Sequence, residues 1–332
     1  MLTYSKKLAS RAFLSGLVCL AACFCCTPSL MAASRQNNQN STQTIQPETT
    51  AGLQTFFQAL DYDWMHLENS VPPFILETIP ADINNSVGTA AKKRTFFMGL
   101  LPMILMSNQE IARERAETLQ ILEKHSEHKL KIDDRERLAE ISKRYGLRGN
   151  PLVDHRKRSR LLRRVDTIPP SLVLAQAANE SAWGTSRFAQ EGNNLFGEWT
   201  FKPGSGIVPK GRPPGEIYEV RKFASLYESI RSYMNNLNRH GAYRELREIR
   251  YELRKSGQPV SGKALAKGLL KYSQRGEDYI REIQLMIQQN KLSRANLASL
   301  RQPQTEKLTS ISTSGSGLFS TRNKTIGHTK TD

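Results

Sequence analysis

The chain has 332 residues, 38% of them hydrophobic, with 48 lysines and arginines against 31 acids and a net charge of +17; it is long enough to bury a sizeable core and suits one or two domains with extra segments at the ends. Its four cysteines, Cys19, Cys23, Cys25 and Cys26, cluster near the N-terminus, which excludes thiol catalysis, disulfides and cysteine-bound zinc from the remainder. The basic excess points to a polyanionic partner, and charge alone does not distinguish nucleic acid from anionic wall or lipid polymers.

In chain order, Lys6, Lys7 and Arg11 precede an apolar stretch from Ala12 to Cys26. It is too short to span a bilayer comfortably and suits the hydrophobic region of an export signal, so residues 1–33 read as a signal. Two processing sites compete within it. "LAAC" at 20–23 has the form of a lipobox, with Cys23 as the lipidated residue, and "LMAAS" at 30–34 offers small residues for ordinary cleavage. Residues 34–52 are rich in Gln, Asn, Ser and Thr, and residues 301–332 in Ser, Thr and Lys, so both segments read as disordered tethers.

Residues 53–150 read as a helical extension. "RTFFMGLLPMILMSNQEIARERAETLQILEKH" (94–125) is a long helix with an apolar start, a buried core helix rather than a membrane span, with Pro102 kinking it or marking its first turn. "DDRERLAEISKRYG" (133–146) gives another helix, with Leu138, Ile141 and Tyr145 on one face and Gly146 as its stop. "HRKRSRLLRR" (155–164) reads equally as a solvated helix face or as part of a polyanion-binding surface.

The chemistry concentrates in residues 151–300. "TIPPSLVLAQAANESAWG" places Pro169 and Pro170 at the first helical positions, and its small and apolar residues predict a helix buried nearly all round. Glu180 lies near its C-terminal end. A carboxylate in such surroundings holds its proton more tightly, as a general acid at neutral pH requires; a solvent-facing glutamate at a helix end is the plainer alternative. "NNLFGEWTF" (193–201), a Pro/Gly-rich loop and the alternating "IYEVRKF" (217–223) read as a small irregular hairpin, a second lip for a groove. Trp183, Phe196, Trp199 and Tyr218 offer flat apolar faces suited to sugar rings, or else plain core. Helices resume with a capping box at Ser225 and Glu228 and end with an amphipathic helix after Gly276. The fold class is therefore mainly α (α+β), a helical body with a small β lobe. The histidines are scattered, no metal-ligand cluster is present, and no cofactor is called for.

The stretch "IPPSLVLAQAANESAWGTSRFAQEGNNLFG" resembles the glucosaminidase domain of glycoside hydrolase family 73, whose pattern is AQA-x-x-ES-x-WG-x-S-x-x-A followed by NLFG. The continuation "GIVPKGRPPGEIYEVRKFASLYESIRSYMNNLNRHGAYRELR" resembles the Bax-type members of that group, and the likeness covers about 165–290. The resemblance implies a lysozyme-like fold with a helical N-terminal extension, and hydrolysis of the β-1,4 bond on the reducing side of N-acetylglucosamine in peptidoglycan. Glu180 matches the general acid of the ES-x-WG motif. Tyr272, in "KYSQRGEDYIREI", loosely matches the tyrosine of the family's GYATDP-x-YA segment, which orients substrate. Asn193 and Asn194 join the four aromatics as substrate-binding candidates.

Related flagellar enzymes carry a second glutamate in a T-x-EY pattern that this chain lacks. Glu219 is then the first candidate for base or nucleophile, with Glu216 and Glu198 nearby, unless the acetamido group of the substrate takes that part. Peptidoglycan glycan strands are the expected partner, with a membrane anchor if Cys23 is lipidated. The expected location is the periplasm or outer membrane of a Gram-negative bacterium. A muramidase or lytic transglycosylase on the same fold, or a non-catalytic wall-binding protein, remains open, whereas nucleic acid is disfavoured by the export signal and the lack of a binding module.

Overall fold

The computed structural model describes residues 42–85 and 88–301 and the backbone of 319–322. The export signal, the lipobox with Cys23 and the alternative cleavage site lie outside the described residues. In order the elements are β1 (Gln43–Pro47), α1 (Thr50–Ala59), β2 (Phe74–Leu76), α2 (Thr89–Ser126), α3 (Ile132–Arg144), α4 (His155–Arg164), α5 (Pro170–Glu180), α6 (Arg187–Gly192), β3 (Trp199–Thr200), β4 (Gly206–Ile207), β5 (Glu219–Arg221), α7 (Leu226–Arg239), α8 (Arg244–Lys255), α9 (Gly262–Ala266), α10 (Glu277–Gln289) and β6 (Phe319–Arg322). The molecule is mainly helical, as its periodicity predicts, with two small sheets of order β2-β1-β6 and β3-β5-β4.

Two segments read as disordered contain structure. Within 34–52, β1 pairs parallel with β2 and antiparallel with β6, and α1 begins at Thr50 with the Thr49 hydroxyl accepting from the Gly52 amide at 3.1 Å. Within 301–332, β6 supplies the other partner strand. Average composition misses both because the strand partners lie far off in sequence, and one fully buried side chain, Ile45, anchors β1 to the core.

The apolar start of α2 is buried all round from Thr95 to Ser107. Pro102 lies inside this helix rather than in its first turn. A proline there cannot donate to the carbonyl four residues back, and that carbonyl, of Met98, instead accepts from the Tyr62 hydroxyl at 3.2 Å. One continuous core joins residues 45–111 to residues 168–295, so the packing does not separate at residue 150: the extension and the following domain share one interior. A smaller apolar cluster, including Leu138, Ile141, Tyr145 and Leu161, lies under α3 and α4.

The N-terminal end of α5 is held from three directions. Asn108 of α2 clamps Ile168, donating to its carbonyl at 2.7 Å and accepting from its amide at 2.9 Å. Buried Asp166 accepts a bidentate pair from Arg254 at 2.7 Å each, and the Arg250 guanidinium donates to the carbonyls of Asp166, Thr167 and Arg163. The side chain of Asn296 accepts from the Ser171 amide at 3.0 Å. The same segment carries the proline pair, which needs no amide partners at the first helical turn.

Close backbone approach fixes the opposite wall. A Cβ on Gly268 would lie 2.3 Å from the backbone N and Cα of Leu246 on α8, whereas one on Gly241 would meet nothing within 4 Å. Gly268→Ala should therefore cost about 1–3 kcal/mol by overpacking, and Gly241→Ala should leave stability nearly unchanged. Urea unfolding of the two variants, side by side, checks the contrast.

Candidate active site

Every residue of α5 from Pro170 to Ala178 is buried, and Glu180 is the last residue of the helix. The chain then turns through three successive residues with positive φ, Ala182 (50°), Trp183 (62°) and Gly184 (81°). Left-handed backbone is costly for residues with a Cβ and tends to occur where surrounding contacts over-determine it. Here Ser181 supplies such contacts: its hydroxyl donates to the Ala177 carbonyl at 2.6 Å and accepts from the Gly184 amide at 2.8 Å. A Cβ at Gly184 would also lie 2.5 Å from Ile79 Cδ1. In the ES-x-WG motif, the serine and glycine therefore shape the turn that ends the helix at the glutamate.

Glu180 is half-buried, and burial pushes its carboxyl above the ordinary range, opposed by hydrogen bonds from Tyr279 and Asn179. The Tyr279 hydroxyl donates to Glu180 Oε1 at 2.7 Å. Behind it stands a directed chain of bonds. The Tyr233 hydroxyl donates to Gln176 Oε1, and Gln176 Nε2 donates to the Tyr279 hydroxyl oxygen at 2.9 Å. Gln176, Tyr233 and Tyr279 are all buried. Gln176 and Glu180 stand one helical turn apart on the same face of α5, so that helix carries two of the four members, and each member's donor and acceptor are consistently assigned along the chain. Burial, then the nearby Glu180 charge, raises the proton affinity of the Tyr279 hydroxyl, so it remains a donor.

Tyr272 stands near the acid, one ring behind it. Its hydroxyl donates to the Phe196 carbonyl at 3.2 Å, and its ring stacks on Tyr279 at 5.2 Å with an 11° angle between planes. It holds the ring of the tyrosine that touches Glu180. Tyr279 lies in the same "KYSQRGEDYIREI" stretch, which by itself does not say which of its two tyrosines meets the acid.

Glu219 is tied up as well. Its two carboxylate oxygens accept from the amides of Gly204 at 2.9 Å and Gly206 at 2.7 Å, with Arg212 3.9 Å away. These amide bonds, led by that from Gly204, hold its carboxyl below the ordinary range. It fastens the hairpin turn to β5. Glu198, which follows NLFG, is the carboxyl on this lobe with the opposite tendency: burial raises its proton affinity, against a 2.7 Å bond from the Ser232 hydroxyl. The charges of Glu198 and Glu180 both act on Tyr233 and Tyr243, beyond the larger effect of burial.

The other candidates divide into engaged and open groups. Asn194 staples the loop, donating to the carbonyls of Glu198 and Arg221 and accepting from the amides of Phe196 and Glu198. Asn193, left-handed at the end of α6, donates to the Phe223 carbonyl at 3.3 Å. Phe196 stacks on Tyr233 at 3.8 Å inside the core. Trp183 packs against Phe96 and Phe97 of α2, with the Lys93 ammonium 4.7 Å over its ring. Trp199, by contrast, is 52% exposed and meets only Tyr218 edge-on at 5.0 Å among the aromatics. Trp199 is thus exposed on the hairpin, with Tyr218 part-buried beside it. Among the described residues no His/Cys/Asp/Glu group is arranged to hold a metal ion, and no helix is long and apolar enough to cross a membrane.

Residues 159–292 match the glucosaminidase family model, described as mannosyl-glycoprotein endo-beta-N-acetylglucosaminidase. Over 212 residues the chain is 34% identical to protein bax of Escherichia coli (strain K12), an alignment covering 63% of this chain and 73% of that one. Among solved structures, the catalytic domain of the autolysin Auto from Listeria monocytogenes aligns at 17% identity over 63% of this chain and 89% of its own, with a TM-score of 0.34, too low to bear on the site.

The raised proton affinity of Glu180 has a consequence for stability. A carboxyl held more tightly protonated in the folded than in the unfolded chain contributes stability below the ordinary carboxyl range, and that contribution is lost as pH rises through the folded value. Glu180→Gln removes the dependence. The variant's melting temperature relative to the parent should therefore rise between about pH 4 and pH 7; a difference that stays constant across this range would contradict the burial argument.

Proposed function

Since the chain belongs to the Bax-type family of glucosaminidase-domain proteins, we propose that it is an endo-β-N-acetylglucosaminidase that hydrolyses the GlcNAc-β-1,4-MurNAc bond of peptidoglycan, with Glu180 as general acid. The observation that carries this reading is the placement of Glu180: a carboxyl desolvated at the end of a buried helix, with its proton affinity raised and one oxygen held by Tyr279. A carboxyl that holds its proton more tightly is suited to deliver it to the leaving sugar oxygen. Exposed Trp199, with Tyr218 beside it, offers an aromatic surface for a sugar ring.

A second protein carboxylate is not required. With Glu219 engaged by two backbone amides, the acetamido oxygen of the N-acetylglucosamine unit is the nucleophile in this reading. It forms a bond to the anomeric carbon as the glycosidic C–O bond breaks and Glu180 gives its proton to the departing oxygen. Water then opens the cyclic intermediate, returning a proton to Glu180 and restoring the acetamido group. Tyr279 orients the acid, and Tyr272 braces Tyr279. The substrate places the enzyme outside the cytoplasm, in line with the export signal read at residues 1–33.

Glu180→Gln should lower hydrolysis of purified peptidoglycan by about 10²–10⁴-fold, and Glu219→Gln should cost far less; a Glu219 defect as deep as that of Glu180 would restore a two-carboxylate mechanism. New reducing ends should be N-acetylglucosamine. Reducing muramic acid would indicate a muramidase, and a non-reducible anhydro end a transglycosylase.

The tyrosine makes a separate prediction about pH. Its hydrogen bond favours the ionised carboxylate, so Tyr279→Phe should raise the proton affinity of Glu180 and move the alkaline limb of the kcat/KM profile to higher pH. A limb that stays in place while the rate falls would assign Tyr279 to substrate contact instead.

A further inference from the structure

On the face built by α4 and α8 lies a recess of about 870 Å³. Four cationic side chains on its wall, Arg156, Arg160, Arg244 and Lys271, make no hydrogen bond or ion pair among the described residues. Arg156 and Arg160 stand one helical turn apart, a spacing at which like charges repel. The remaining arginines of the recess are built in. Arg164 donates to the carbonyls of Tyr145 and Gly146, and Arg247 to those of Leu237 and His240. These bonds fix direction without cancelling charge. Burial and neighbouring arginines, Arg160 and Arg239 for Arg164, and Arg164 and Arg244 for Arg247, make both guanidiniums less favourable as cations, and Arg247 is pushed down to about 10. Of the two acids on the wall, Glu248 is already paired with Arg163 at 2.8 Å, so Glu245 is left against the four free cations.

The charge of the recess calls for an anion, and its lining narrows the chemistry. It contains no phenyl, phenol or indole ring, and its one aromatic side chain is the His155 imidazole, so it offers little flat apolar surface for sugar rings or a run of stacked bases. Guanidinium groups match planar or tetrahedral oxyanions with paired hydrogen bonds. A phosphate monoester carries about −1.5 to −2 charges at pH 7, so two phosphates answer four free cations where four carboxylates would be needed. We propose that this recess is a binding site for a ligand carrying two or more clustered phosphate groups, presented either by a lipid headgroup or by a soluble molecule. The site is separate from Glu180 and does not rest on the glycosidase reading.

Arg160 and Arg244 are exposed, so replacing them leaves the fold intact. Titration calorimetry of the full chain with inorganic tripolyphosphate should show one molecule bound per chain, more tightly than citrate. Affinity should fall about tenfold for each arginine lost, the worth of one charge-assisted hydrogen bond, in Arg160→Gln and Arg244→Gln. The control pair Lys202→Gln and Lys210→Gln, exposed on the hairpin loop, should bind as the parent does. Flotation with phosphatidylcholine vesicles, with and without phosphatidylinositol 4,5-bisphosphate, whose headgroup carries two adjacent phosphate monoesters, separates the sources. Capture by that lipid that is lost in the Arg160/Arg244 double variant identifies a lipid headgroup, and tripolyphosphate binding without capture identifies a soluble ligand. Absence of both, citrate binding equal to tripolyphosphate, or equal losses in the control pair overturns the proposal, as does a duplex oligonucleotide that displaces tripolyphosphate at lower concentration.

Discussion

A helix with no exposed face from Pro170 to Ala178 reaches solvent only at its end, and Glu180 stands there. Burial on every side costs α5 any freedom of placement. Its start is fixed by Asn108, Asn296 and the Asp166–Arg250–Arg254 cluster, and its end by the Ser181 turn. Buried Asp166 is tolerable because Arg254 meets it with two short charge-assisted bonds. The carboxyl at the far end has no cation so close among the described residues, and that difference in partners leaves Asp166 fully paired and Glu180 held by a neutral hydroxyl.

The tyrosine and glutamine chain behind Glu180 extends the same logic. A buried polar network is favourable only when each member is satisfied, and Tyr233, Gln176 and Tyr279 pass donors in a single direction that ends on the carboxyl. Rotation of the acid would leave Tyr279 without its acceptor. The N-terminal extension contributes to this rigidity through Trp183, which follows the acid and packs on Phe96 and Phe97 of α2. The extension and the segment that carries Glu180 are thus built on a shared core.

Charge is divided between two faces. Glu180 is bonded by Tyr279, and the nearby charges of Glu282 and Arg275 are paired with each other, whereas the α4–α8 face gathers arginines that the interior uses only in part. The "HRKRSRLLRR" stretch is divided between interior and surface: Leu161 packs inward, Arg158 and Arg164 bond nearby carbonyls, and the side chains of Arg156 and Arg160 have no partner among the described residues.

What the sequence determined by itself follows from local rules. Helical periodicity, the proline pair, the Ser225 cap and the Gly146 stop give the mainly α class and most helices, because capping and backbone conformation depend on a few adjacent residues. The apolar run ahead of Glu180 predicted the buried helix but left the carboxyl at its end either desolvated or facing solvent, and the fold makes it half-buried. Tertiary structure decided the rest. Whether Asn194 or Phe196 serves the loop and core or faces a ligand depends on Arg221, Glu198 and Tyr233, which reach it from elsewhere in the fold. Glu219 is fastened by amides of Gly204 and Gly206, whose approach requires the folded hairpin. The strand at 43–47 exists because β2 and β6 come to it. The choice of Tyr279 over Tyr272 as partner of the acid was set by α10 packing on α5, since a hydroxyl's partner is fixed by which helices meet, and no single-chain pattern records that.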